Sequence, residues 1–177
     1  MAGTPLYWIK KTSQILHDFN EFTGRAVAWL VLLLVLLVSY DVTMRYLFNS
    51  GSIALQELEW HLFSFIFLLG AAYTFHHDGH VRLDLFYQSR FMSDRRRALV
   101  NIFGDLFLLI PFCLLIIISS WPFVSQAFIH AEASPDPGGL PWRWVLKGTI
   151  PLGFILLMLQ GIADLLKNIV LLCEDRS

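Results

Sequence analysis

Charged side chains at one end of two apolar segments are the first candidates for a functional role in this chain. Asp41 and Arg45 lie four positions apart, on one face of a helix, and Glu57 and Glu59 open the next apolar segment. Ionisable groups within apolar segments are typical of a proton or cation relay. A lone charge at helix-centre depth in a membrane costs about 2.5–3.5 kcal/mol, so such groups usually pair. Because both signs are present, we predict a structural clasp of ion pairs between the two segments or with a partner subunit, and a relay is the alternative.

The second group of titratable residues lies just past the second apolar segment. His76, His77 and His80 cluster there with Asp78. Adjacent side chains point about 100° apart on a helix, so His76 and His77 are poorly placed to share a metal ion. A haem between helices needs paired histidines at matching depth, and the sequence shows no such pair. We therefore predict no metal and no cofactor in this chain, and interpret the cluster as a polar turn.

At the same end, the sequence predicts a second clasp. Asp105 begins the third apolar segment, and Asp164 and Lys167 lie late in the fourth. A transport role for Asp105 is the alternative to an ion pair that joins helices.

Four apolar stretches must position these residues. The chain has 177 residues, of which 56% are hydrophobic and 15% charged, against about 25% charged in soluble domains. A helix needs roughly 20 apolar residues to cross a bilayer. The predicted fold class is therefore an all-α membrane protein, a single domain with four transmembrane helices at about 24–46, 56–76, 99–128 and 145–170.

Two further segments have the pattern of amphipathic helices that lie in the membrane interface. In residues 5–22 the apolar side chains Trp8, Ile15, Phe19 and Phe22 share one face. Residues 81–96 have the same helical pattern, with apolar side chains on one face and polar side chains on the other. Such helices rest in the headgroup region with their apolar face toward the lipid. The alternative is that each segment extends a spanning helix into water.

The distribution of basic residues predicts the orientation. Of the 13 Lys and Arg residues, ten lie in the N-terminal segment, the loop between spans two and three, and the C-terminal end. The positive-inside rule puts that side in the cytoplasm, together with both termini. The Pro- and Gly-rich loop 134–141, followed by Trp142, Arg143 and Trp144, is then outside.

Nothing in the sequence indicates catalysis. It contains neither a nucleophile motif nor a phosphate-binding glycine loop, and no pair of broken spans of the kind that forms transporter substrate sites. Small residues in the spans are candidates for close helix packing, namely Gly70, Ala71, Ala72 and Gly153. We interpret the chain as an accessory membrane subunit. A haem-binding electron-transfer subunit and a free-standing small carrier are the alternatives.

Several segments resemble one transporter family. The segments 41–49, 57–60 and 67–73, the run Gly79, His80, Val81, Arg82, Leu83, Asp84, and the segments 139–144 and 150–154 are similar to the small membrane subunit (DctQ-like) of tripartite ATP-independent periplasmic, or TRAP, transporters. The resemblance covers roughly residues 24–170.

This resemblance implies a function. The small subunit pairs with a large membrane subunit that holds the substrate and sodium sites, and a periplasmic substrate-binding protein delivers an organic acid such as a C4-dicarboxylate, a keto acid or sialic acid. The small subunit is then part of a static scaffold in the bacterial inner membrane, in contact with phospholipid, and helps to dock the binding protein. It catalyses nothing itself, and nucleic acid is not among its expected partners.

Overall fold

The chain folds as a bundle of long helices. The computed structural model describes residues 5–77 and 93–174. These form helix α1 (Pro5–Leu47), helix α2 (Ile53–His76), a continuous helical rod and helix α5 (Arg143–Glu174). The rod consists of α3 (Asp94–Gly104), a π-helical turn (Asp105–Leu109) and α4 (Ile110–Ile129). Among the described residues, four helices are long and apolar enough to cross a membrane, which confirms the predicted all-α fold class with four spanning helices.

Capping residues explain where these helices begin and end. The hydroxyl of Ser52 accepts a hydrogen bond from the backbone N–H of Leu55 at 3.4 Å, and the hydroxyl of Ser93 accepts one from Arg96 N–H at the same distance. Each serine therefore satisfies a backbone donor that the first helical turn leaves free. After α1, Asn49 takes a left-handed conformation with φ 51° that turns the chain toward α2.

The N-terminal segment belongs to the first spanning helix. Residues 5–22 were expected to form a separate interfacial helix, but α1 continues without a break to Leu47. The reason is packing, because polar side chains of this segment are buried against α5. The Ser13 hydroxyl donates to the Ala163 carbonyl at 2.9 Å, while Phe19 and Phe22 point outward. Most of the second expected interfacial segment, 81–96, lies outside the described residues.

Helix α5 is the centre of the bundle. It contacts α1, α2, α3, the π-helical turn and α4, and its Ala163 is fully buried. Two glycines allow close helix contacts. A Cβ on Gly153 of α5 would lie 2.7 Å from the Leu68 carbonyl oxygen of α2, and a Cβ on Gly24 of α1 would overlap the Tyr73 side chain of α2. Helices in lipid gain stability from such close packing of small residues.

Polar side chains are buried inside the bundle, and large apolar side chains face outward. Buried side chains include many polar ones: Ser13, Asn20, Asp41, Glu57, His61, Asp105, Thr149, Gln160 and Asn168. Large apolar side chains such as Trp29, Phe67 and Ile118 are about 70% exposed on the outer surface. A surface of this kind is stable against lipid tails or an apolar partner. The functional candidates are among the buried polar side chains, which lie toward the two ends of the interior.

Candidate functional site at the two ends of the bundle

Two groups of polar side chains lie at opposite ends of the bundle. We call them the loop end, which carries the loop 134–141 and the start of α2, and the basic end, which carries the N-terminal half of α1, the end of α2 and the last part of α5. The sequence places charged candidates at both ends, and the structure decides which of them meet.

Glu57 anchors the loop at the loop end. It lies in the first turns of α2, where its carboxylate accepts a hydrogen bond from the Ser134 hydroxyl and another from the Leu140 backbone N–H at 2.6 Å. The loop also bonds to itself, since Ser134 N–H donates to the Leu140 carbonyl at 3.0 Å. A Cβ on Gly139 would overlap Ser134 and come within 2.9 Å of a Glu57 oxygen, so this position needs glycine. The loop is thus folded onto α2 around one buried carboxylate.

Arg45 pairs with an acid of its own helix and not with one at the start of α2. Its guanidinium forms an ion pair with Asp41, one turn earlier in α1, and Asp41 is almost fully buried. Glu59 lies beside this region with one carboxylate oxygen buried and without a hydrogen-bond partner among the described residues. In the part of the chain that the structure describes, these acids and Arg45 do not form the expected ion pairs between α1 and α2, and pairing with a partner subunit stays a prediction. The backbone and hydroxyl donors of the loop, which sequence spacing could not bring to Glu57, satisfy that carboxylate instead.

A second group of contacts joins the start of α5 to α2, to α4 and to the chain just after α4. Lys147 forms an ion pair with Glu132, and its ammonium group lies 3.9 Å above the Phe123 ring of α4. Arg143 stacks on Trp60 of α2, with 5.8 Å between its guanidinium carbon and the ring centroid. A cavity of about 470 Å³ lies among these side chains. Arg143 therefore ties the start of α5 to α2 through an aromatic contact rather than through an acid.

At the basic end, a hydrogen-bonded network replaces the predicted clasp. Asn20 of α1 donates through its side-chain amide to Gln160 of α5 at 2.9 Å, and the Gln160 amide nitrogen lies 3.0 Å from the Nδ1 atom of His17. The Nδ1 atom of His17 lies in turn 2.7 Å from Nδ1 of His76 at the end of α2. Three helices are therefore joined by neutral polar groups. Sequence reasoning missed Asn20 and Gln160, and the only signal was the amide of Gln160 within an apolar stretch.

The acidic and basic residues expected to form the second clasp have other surroundings in the structure. Asp164 accepts a hydrogen bond at 2.9 Å from the Asn168 side chain, one turn later in α5, and Lys167 is exposed at the rim of a cavity. Asp105 is buried in the π-helical turn that links α3 to α4. An extra residue in a helical turn of this kind is often found at functional sites.

The remaining candidates divide into packing residues and undescribed ones. Gly153 is a close contact as predicted, whereas a Cβ on Gly70 would meet Val27 at an ordinary 3.9 Å. Ala72 is buried to 99% of its surface. Sequence reasoning missed Gly24 and Gly161, where an added Cβ would collide with Tyr73 and Leu109. Gly79, His80, Arg82 and Asp84 lie outside the described residues.

These features define a multi-pass α-helical membrane protein whose polar groups bond its own helices and one folded loop. The sequence profile of the DctQ component of tripartite ATP-independent periplasmic transporters matches residues 34–171. The chain is also 32% identical over 127 residues to a TRAP transporter small permease protein of Haemophilus influenzae, which covers 71% of this chain and 77% of the relative. The chain therefore belongs to the DctQ family of TRAP transporter small subunits, a family of transport components rather than enzymes.

Proposed function

We propose that this chain is the accessory subunit that scaffolds the large, sodium-coupled membrane subunit of a TRAP transporter for organic acid uptake. The observation that carries the proposal is the separation of its buried polar groups into two ends. A carrier needs polar groups along the whole depth of the membrane, to replace the water that surrounds a charged substrate. A scaffold needs them only where its helices are tied together.

Helix α1 illustrates this separation. Its buried polar residues Asn20 and Asp41 are 21 positions apart, and the buried residues between them are Gly24 and Val27. At 1.5 Å per residue this distance is about 31 Å along the helix, close to the thickness of a bilayer core of about 30 Å. The apolar stretch thus has the length of the membrane interior, and the polar groups lie near its two surfaces.

The outer surface of the bundle is apolar enough to pack against a partner over a large apolar contact area. Trp29 of α1, Phe67 of α2 and Ile118 of α4 are each about 70% exposed, and the indole N–H of Trp29 is the one polar group among these three side chains. In this proposal part of that surface packs against the large subunit, and phospholipid covers the rest. The sodium ions and the substrate, an organic acid such as a C4-dicarboxylate or sialic acid, bind to the large subunit.

The loop end is proposed to face the periplasm of a bacterial inner membrane, with the basic end and both termini in the cytoplasm. This orientation follows from the basic residues of the sequence. The loop then presents Pro135, Asp136 and Pro137, which are all exposed, toward a periplasmic substrate-binding protein. Because Glu57 holds the loop on α2, the docking surface of the loop is formed before the binding protein arrives. This lowers the entropy cost of association.

A charge reversal at the tip of the loop tests the docking role. The complex of both membrane subunits is placed in lipid nanodiscs, and binding of the substrate-loaded binding protein is measured for wild type and Asp136→Arg. We expect Asp136→Arg to weaken binding at least several-fold, because the residue is exposed on the proposed contact surface. Asp94→Arg is the matched control, since Asp94 is exposed at the opposite end of the bundle.

Two results would contradict the docking role. One is unchanged binding to Asp136→Arg, and the other is an equal loss of binding in the Asp94→Arg control. Complex yield and elution volume must match wild type in both variants, so that the measurement reports the contact surface and not assembly.

A further inference from the structure

Three potential metal ligands converge at the basic end, where α2 ends beside α1. Suitable ligand atoms of Glu21, His76 and His77 all lie within 4.8 Å of one another. Zinc binds imidazole nitrogen and carboxylate oxygen at about 2.0–2.2 Å with tetrahedral geometry, so its ligand atoms are roughly 3.3 Å apart. Small side-chain rotations would bring the three atoms to that spacing. We propose that Glu21, His76 and His77 form a binding site for a divalent transition metal of the zinc type, which ties α1 to the end of α2.

The local backbone explains why two adjacent histidines can share a metal ion. Adjacent side chains point about 100° apart only where both residues are helical. In the structure α2 ends at His76, and His77 has φ −89° and ψ 16°, outside regular helix geometry. The two rings lie 4.7 Å apart between centroids. The third ligand, Glu21, comes from α1, 55 positions before His76, and no spacing rule in the sequence would have connected them.

Neighbouring side chains orient His76 as a ligand. The Asn20 amide donates to the Gln160 oxygen, which leaves the Gln160 nitrogen as the group that faces His17 Nδ1 at 3.0 Å. The same Gln160 nitrogen lies 3.3 Å from His76 Nδ1, and the Nδ1 atoms of His17 and His76 are 2.7 Å apart, so one of the two carries the proton between them. With that proton on His76, the lone pair of His76 Nε2 is available for a metal ion. Metal-binding histidines usually donate their other ring N–H to a fixed acceptor in this way.

Glu21 is oriented by a similar pair of contacts. Arg25 donates to one carboxylate oxygen at 2.8 Å, and the other oxygen lies 2.7 Å from Nε2 of His77. One oxygen is thus held by a neighbour while the other faces the histidines. A metal ion that enters here replaces the Glu21–His77 hydrogen bond with two metal–ligand bonds.

The site has access and room for a further ligand. A cavity of about 470 Å³ is lined by Glu21, His76 and His17, with Lys10 and Lys167 also on its wall. Two histidines and one carboxylate are a common set for zinc, which leaves the fourth position to water. The two nitrogen donors favour zinc, nickel or copper over magnesium and calcium, which take oxygen ligands. The cavity supplies the path by which the ion and this water enter.

Metal content of the complex tests the site directly. The small subunit is purified together with its large membrane subunit, stripped with a chelator, dialysed against zinc and analysed for bound metal. We expect wild type to hold one more zinc ion per small subunit than Glu21→Gln or His77→Asn, with affinity at least 100-fold higher. His130→Asn is the matched control, because His130 is exposed at the end of α4, near the loop and away from the cluster. Comparison between variants removes any zinc that the large subunit binds.

Cobalt gives a second readout that needs no variant. Addition of Co²⁺ to the wild-type complex should produce the visible ligand-field bands of a tetrahedral or five-coordinate site, and zinc should abolish them. Zinc should also raise the Tm of wild type and of His130→Asn, but not that of the two ligand variants. Equal zinc content in wild type and the ligand variants, equal loss in His130→Asn, or no visible bands with Co²⁺ would each overturn the proposal.

Discussion

Adding one methyl group at Gly153 should destabilise the bundle, because it forces two helices apart. The new Cβ would lie 2.7 Å from the Leu68 carbonyl oxygen and 3.1 Å from the Leu68 Cβ, where an ordinary contact is about 3.4 Å or longer. Helices α5 and α2 must therefore separate by about 0.7 Å, and the neighbour at closest approach is backbone that cannot rotate away. Overpacking of this kind typically costs about 1–3 kcal/mol. Alanine is favoured over glycine within a helix by about 1 kcal/mol. Because the close neighbour is backbone, we expect the overpacking cost to exceed this gain and to leave a net loss of up to about 2 kcal/mol.

Gly148→Ala is the matched control for Gly153→Ala. Both glycines lie in α5, but a Cβ on Gly148 would meet the Val124 side chain at an ordinary 3.9 Å. Gly148→Ala should therefore leave stability unchanged or raise it slightly through helix propensity. The fully buried Cys113 supplies a probe, in a Cys173→Ser background that removes the exposed thiol.

The assay follows thermal unfolding of the complex with a thiol-reactive fluorophore, and reads the small-subunit band on a gel. We expect Cys113 to become reactive several degrees lower in Gly153→Ala than in wild type or Gly148→Ala. If Gly153→Ala unfolds at the wild-type temperature, or if both alanine variants shift equally, the close contact with Leu68 does not limit the packing of α5.

Two further predictions concern orientation and the ion pair of α1. With single cysteines at Ser93 and Asp136 in a background without Cys113 and Cys173, a membrane-impermeant thiol reagent should label position 136 and not position 93 in intact spheroplasts; the reverse pattern would invert the proposed orientation. Arg45→Ala should lower complex abundance and uptake together, by destabilisation of up to about 3 kcal/mol, because it strands the buried carboxylate of its partner Asp41. Normal abundance with abolished uptake in Arg45→Ala would instead indicate a coupling role.

The spans could be predicted from the sequence because the signal for a membrane helix is local. Runs of apolar residues determine the four helices, and length decides that they cross a bilayer. Continuity of α1 was harder to predict. The amphipathic pattern of residues 5–22 fits an interfacial helix, and only contacts with α5, such as the bond from Ser13 to Ala163, show that its polar face is buried within the bundle.

Side-chain partners could not be predicted, because they depend on residues far apart in the chain. Depth along the helices predicts Glu57 at the same end of the bundle as Arg45, but depth does not choose between an arginine and a loop that begins 77 positions later. Glycines show the same limit. Gly70 and Gly153 look alike as small residues in apolar spans, and only the rotation of each helix makes Gly153 a close contact and Gly70 an ordinary one. The ligands at the basic end are a third case, since Glu21 reaches the histidines from another helix.

Sodium-driven uptake in reconstituted vesicles tests most directly whether this chain is a scaffold and not a carrier. Vesicles that contain the small subunit alone, the large subunit alone, or both are supplied with the binding protein, a sodium gradient and a panel of labelled organic acids: a C4-dicarboxylate, a keto acid and sialic acid. We predict uptake of one of these acids in vesicles with both subunits, greatly reduced uptake with the large subunit alone, and uptake at the level of empty vesicles with the small subunit alone. Sodium-driven uptake by the small subunit alone, or full uptake by the large subunit without it, would contradict the account.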